Sequence, residues 1–120
     1  MSISNYLENA ILDTLRNQSL AVSAVYIKLH TGDPGEAGTS NAAAETTRQA
    51  ISFSAASSGS MVSSAAISWT NVSTTETYTH WSAWDNSSGG NCLWTGAFSA
   101  SAALTAGDTF TLSTLTLTLD

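Results

Sequence analysis

Five groups of residues in this chain have types and spacings that could do chemistry. His30 with Asp33, and His80 with Asp85, each set an imidazole within a few residues of a carboxylate, the start of a metal site or of a base with its orienting partner. Neither pair has the several convergent ligands of a closed metal site, so the expectation for both is a solvated histidine near a strand end, with no metal and no cofactor. Serine is abundant, yet no Gly-x-Ser-x-Gly elbow occurs, so the chain reads as a non-enzyme without catalytic residues. Ser87, Ser88, Gly89 and Gly90 match a phosphate cradle in composition only, because no helix follows to supply its N-terminus. Cys92 is the sole cysteine, which removes an intramolecular disulfide, and its strand position suits a small buried hydrophobe better than a reactive thiol.

The fifth group is aromatic. Three of the chain's four tryptophans fall in one hairpin, running from Tyr78 through Trp81 and Trp84 to a Gly-rich loop at residues 86–91 and returning through Cys92, Trp94 and Phe98. Alternation puts Trp81 and Ala83 on one face of the first strand, and Tyr78, His80, Ser82 and Trp84 on the other. On the returning strand Cys92, Trp94, Gly96 and Phe98 would share a face. Ile67 and Trp69 need large inward partners, for which Trp81 and Trp94 are candidates. Tyr78, His80 and Trp84 are then an outward row: interface packing if the face is covered, or a stacking platform for a host glycan if it is open, with Asn86, Ser87 and Asn91 as hydrogen-bonding partners.

These groups must be positioned by short strands. Ile3, Leu7, Ala10, Ile11 and Leu15 recur at helical spacing and predict a short amphipathic helix, with Asn5 and Glu8 as a capping pair and Asn17 as a left-handed C-terminal residue. Three turns are not stable alone, so the stripe of Ile3, Leu7 and Ile11 needs a partner, either the β-domain or another subunit. Val25, Ile27 and Leu29 alternate with polar residues and predict a strand that ends at Pro34-Gly35, the middle of a type II turn. Residues 36–47 carry no usable period and read as a long surface loop. Ile51 with Phe53, Ala65 with Ile67 and Trp69, residues 109–112 around Phe110, and Leu115 to Leu119 alternating with threonine complete seven or eight short strands. The expected fold is mostly β: one antiparallel, jelly-roll-like β-sandwich over residues 21–120, preceded by an N-terminal helix and lead-in over residues 1–20. The expected core includes Ile27, Leu29, Trp69, Trp81, Trp94 and Phe110.

Composition narrows the partners. Only 10% of the 120 residues are charged and the net charge is −6, while Ser and Thr supply close to a third of positions. Such a surface suits packing against other subunits better than free solution, so a homo-oligomer is expected. Arg16, Lys28 and Arg48 are the only basic residues apart from histidine, and they are scattered, so nucleic acid is not an expected partner. The sequence shows no conventional export signal or membrane span, and synthesis in the cytoplasm is expected.

Three stretches, in order, carry a resemblance: Val25 to Glu36 (VYIKLHTGDPGE), Arg48 to Phe53 (RQAISF), and Ala83 to Gly96 (AWDNSSGGNCLWTG) with the later Ala106 to Phe110. Together they resemble a family of small structural proteins of tailed bacteriophages, tail-fibre-like or head-decoration-like. Trp81 is a departure from that pattern, where a β-branched or smaller aliphatic residue would be usual, as is Ala83, where a larger one would be; aliphatic residues at both positions imply an inward face, so the resemblance places Trp81 and Trp94 in the core. The resemblance implies a non-enzymatic, multicopy virion protein made in the bacterial host. Its partners would be copies of itself, with a trimer as the analogous arrangement, and the major capsid protein or other virion proteins. Decoration or cementing of the capsid is expected ahead of a tail-fibre or glycan-binding role, because the chain is too short for a long shaft and a head-group together.

Overall fold

The computed structural model describes residues 2–119. Strand β1 (Ser2–Ile3) leads into helix α1 (Asn5–Thr14), followed by β2 (Val25–His30), β3 (Gln49–Ile51), β4 (Ser60–Val62), β5 (Ile67–Trp69), β6 (Glu76–Trp84), β7 (Cys92–Leu104), β8 (Phe110–Leu112) and β9 (Thr116–Thr118). Every strand pairing is antiparallel. The principal sheet has five strands in the order β1-β7-β6-β2-β3, and two ribbons, β4-β9 and β5-β8, form the remaining pairings. The chain after β3 carries the pairing onward to β4, through a bridge between Phe53 and Ser63 and the Ser64 N–H donated to the Ser52 carbonyl at 2.8 Å.

The core lies between the inner face of the five-stranded sheet and the ribbons. Ile27, Leu29, Tyr78, Trp81, Ala83 and Trp94 from the sheet, Trp69 from β5, and Leu115 and Leu117 around β9 are all buried in one cluster. Phe110 packs half-buried against this cluster, with ring centroids 5.7 Å from Trp69, 5.5 Å from Tyr78 and 5.4 Å from Phe98. The exchange of size at Trp81 has a direct counterpart across the strand pair. Gly96 stands opposite Trp81, and a Cβ there would lie 2.6 Å from the indole Cζ2. The missing side chain is the room the indole occupies.

Local rules account for most element ends. Ser4, one residue earlier than the expected cap, begins α1: its side chain accepts from the Leu7 N–H at 3.2 Å and donates to the Cys92 carbonyl at 2.6 Å. Ile3 therefore belongs to a strand paired with Trp94, not to the helix. Asn17, with φ 64°, and Gly35, with φ 71°, take the left-handed conformation expected of them. Leu7 is buried, and Ile3 and Ile11 pack half-buried against the same core, so the stripe finds its partner within its own chain. The helix instead exposes Leu12 and Leu15, at 62% and 85%.

Candidate functional site

The outer face of the five-stranded sheet holds an extended polar network with buried members. On β2 the side chains opposite Ile27 and Leu29 are Tyr26, Lys28 and His30, and their partners on β6 are Trp84, Ser82 and His80. His30 and Ser82 are each 0% exposed. His30 Nδ1 lies 2.9 Å from the Ser40 carbonyl, and Nε2 lies 2.7 Å from Ser82 Oγ. A carbonyl can only accept, so Nδ1 carries the proton and Nε2 accepts from the Ser82 hydroxyl. Ser82 Oγ in turn accepts the Trp84 indole N–H at 2.7 Å. The result is a one-way chain of donors from Trp84 through Ser82 and His30 to Ser40.

A strap of residues 31–43 covers this face. Its base is fixed by the Thr31 N–H to the Asn41 carbonyl, 2.9 Å, and by the Ala43 N–H to the Leu29 carbonyl, 3.1 Å. At its crest Gly38, with φ 73°, meets the sheet so closely that a Cβ would lie 2.6 Å from Cys92 Sγ and 3.1 Å from the Trp84 ring. Only glycine permits both the backbone and the approach. From the other side Arg48, just ahead of β3, places its guanidinium 4.2 Å from the Trp84 ring centroid and donates from Nη1 to the carbonyls of Asn86, 2.7 Å, and Gly89, 2.8 Å. The hairpin loop is closed further by Asp85, which accepts from the Asn91 N–H at 2.8 Å and from its side-chain amide at 3.0 Å.

Electrostatics follow from this burial. Burial lowers the His30 pKa from its ordinary value, the Ser40 hydrogen bond raises it in part, and the Lys28 charge lowers it again. The imidazole is neutral at pH 7. Burial pushes the Cys92 thiol up to about 11, so it is not a thiolate at neutral pH. For Asp85 burial works against the charge, but hydrogen bonds from Asn91 outweigh it and hold the carboxyl below its usual range.

The Ser82–His30 spacing is that of a nucleophile and its base, yet the pair is sealed from solvent, the third member is a carbonyl, and the hydroxyl already accepts the indole N–H. It works as a cross-link between β2, β6 and the strap. His30 is thus not a solvated strand-end residue; it is one of the most buried side chains in the molecule. His80 is half-buried, with Thr79 Oγ1 at 2.8 Å from Nδ1, and shares a surface depression with Asp33 and Pro34.

The outward aromatic row does not survive as a row. Tyr78 is 0% exposed and lies in the core. The cause is a register shift: Tyr78 pairs with Ala102 but His80 pairs with Ala97, so several extra residues of β7 face Thr79 and the faces exchange. A second shift, between Ala83 and Trp84, turns Cys92 to the side of Trp84 and away from Trp94. Trp84 keeps its outward position but is only 7% exposed, under Arg48 and Gly38. So little of the ring is exposed that it offers no flat platform for a sugar; with Cys92 it lines the floor of a groove of about 510 Å³ between Asn5 and Tyr6 of α1, Glu36 and Thr39 of the strap, and Asn91 of the hairpin loop. Sequence reasoning missed the strap altogether; Pro34 and Gly38 inside an otherwise polar loop were the available signals.

Among the described residues no three of His, Cys, Asp and Glu gather as metal ligands, and no helix is long and apolar enough to cross a membrane. A family model described as podophage GP4 fiber I protein gp80 matches residues 2–120. No curated protein matches the chain.

Proposed function

We infer the role of the chain from one premise: it belongs to the podophage GP4 fiber I protein gp80 family. It is a small structural protein of the tailed-phage virion, and its partners are other virion proteins. The finer reading is that it is a multicopy, non-enzymatic subunit of a virion fibre, holding by repeated surface burial rather than by chemistry. The observation that carries this is the reach of the match, which takes in residues 2–120 and so the whole β-domain with its helix. Two physical features support it. The surface is poor in charge and rich in hydroxyls, so copies meet without strong repulsion, and many weak contacts repeated by symmetry add up to a strong assembly. The serine–histidine pair with catalytic spacing, Ser82 and His30, is fully buried.

Capsid decoration, the expectation from chain length, has only that length behind it. Electron microscopy of intact particles carrying a gold-labelled antibody against this chain separates the two. Label on fibres supports the fibre reading, and label spread over the capsid shell replaces it with decoration.

A further inference from the structure

We propose that residues 31–43 are an acid-sensitive latch: protonation of His30 lifts this strap from the outer face of the sheet and bares Trp84 and Cys92.

The hydrogen-bond chain has only one direction that satisfies it. With Nδ1–H held by the Ser40 carbonyl, the second proton of an imidazolium must sit on Nε2, which faces Ser82 Oγ at 2.7 Å. Ser82 would then accept from both His30 and Trp84, and its own hydroxyl hydrogen would have no acceptor among its partners in the described residues. The same proton places a charge at a site with no solvent exposure, a large cost where no counter-charge is present.

The charged neighbours add to that cost. From β2 itself Lys28 faces the same way, and from β6 His80 stands directly opposite His30; both act to lower its pKa. On the β3 side Arg48 is spent on Trp84 and the hairpin loop. On the strap the Asp33 carboxylate is taken by the Gly35 N–H at 2.9 Å, and Glu36 lines the groove beside α1. No carboxylate hydrogen-bonds to the imidazole among the described residues.

The cheapest relief is movement of the strap. Its internal bonds, such as Ser40 N–H to the Pro34 carbonyl at 2.9 Å and the Asn41 amide to the Asp33 carbonyl at 2.8 Å, can travel with it as a unit. Its hydrogen bond to a sheet side chain near the crest is the one from His30 to Ser40. Lifting the crest hydrates the imidazolium, frees Ser82 and uncovers Pro34, while Ala43 at the base of the strap stays in the core cluster.

Cys92, lying under Gly38, reports the opening. The experiment follows the rate at which 4,4′-dithiodipyridine, a disulfide that reacts with thiols in acid, labels Cys92 between pH 7.5 and 5, normalised to an unstructured cysteine peptide. The normalised rate should climb by up to about tenfold per pH unit below pH 6.5, the limit for one linked proton. It should stay flat in His30→Gln and climb as in the wild type in His80→Gln. A flat wild-type rate, or a rise lost in His80→Gln, overturns the latch. So does a near-ultraviolet circular dichroism spectrum that collapses in step with labelling, because that is unfolding of the whole domain. Should His30→Gln not fold, nuclear magnetic resonance titration of the wild-type imidazoles decides: His30 must titrate below the ordinary imidazole range, and titration at or above pH 6.5 overturns the proposal.

Discussion

The two faces of the five-stranded sheet are covered by different means. The inner face is closed by large apolar side chains that fit by shape, as where the Trp81 indole fills the space Gly96 leaves empty. The outer face is closed by a stretch of loop, and loop backbone brings polar groups that must be paired when buried. His30, Ser82, Trp84 and the Ser40 carbonyl are that pairing. Shape-filled packing tolerates any pH but little change of volume; a hydrogen-bonded cover tolerates volume at its rim but depends on the protonation of one imidazole.

That contrast can be broken from either side. Trp81→Ala should be the most damaging change, about 3–5 kcal/mol by chemical denaturation, since it leaves a void against a neighbour with no side chain to fill it. Gly96→Ala should cost about 1–3 kcal/mol, because the new methyl meets the indole and must displace it. On the outer face Ser82→Ala should cost about 1–3 kcal/mol by leaving the His30 Nε2 and the Trp84 N–H unpaired in a dry site. Ser82→Ala should also raise the rate of Cys92 labelling, whereas Gly96→Ala, of similar cost, should not.

Acid distinguishes the faces further. The folded His30 pKa lies below the ordinary 6.5, so below that pH the unfolded chain binds more protons than the folded one. Stability is therefore intact above pH 6.5 and falls as pH drops through the interval beneath it, by at most about 1.4 kcal/mol per pH unit from this group. Thermal melts of wild type and His30→Gln should diverge in that interval. The smallest effect should come from Arg48→Ala, about 1–2 kcal/mol from the lost indole contact and two carbonyl partners, with faster amide exchange confined to residues 86–91.

The inner face was legible in the sequence because period-two alternation is a local signal. Ile27, Leu29 and Trp69 could be placed by counting residues, and Trp81 and Trp94 by counting together with the family resemblance. The outer face was not, for two physical reasons. Register shifts at Tyr78/His80 and Ala83/Trp84 depend on how much chain the partner strand supplies, which no count along β6 can reveal, and they moved Tyr78 into the core and Cys92 out of its expected row. The strap is held by backbone and by single polar contacts, so residues 31–43 carry no periodicity and read as solvated loop. His30 was misjudged for the same reason: its partners lie 10 and 52 residues away.

The fit of Trp81 to Gly96 has a consequence for descent. Neither residue can be exchanged alone without passing through a worse intermediate: a smaller side chain at 81 leaves a hole, and any side chain at 96 strikes the ring. Lineages with an indole at one position should keep glycine at the other, and those with an aliphatic residue at 81 should be free to carry a side chain at 96. The pair should therefore change together or not at all, a coupled step in the family's history rather than two independent drifts.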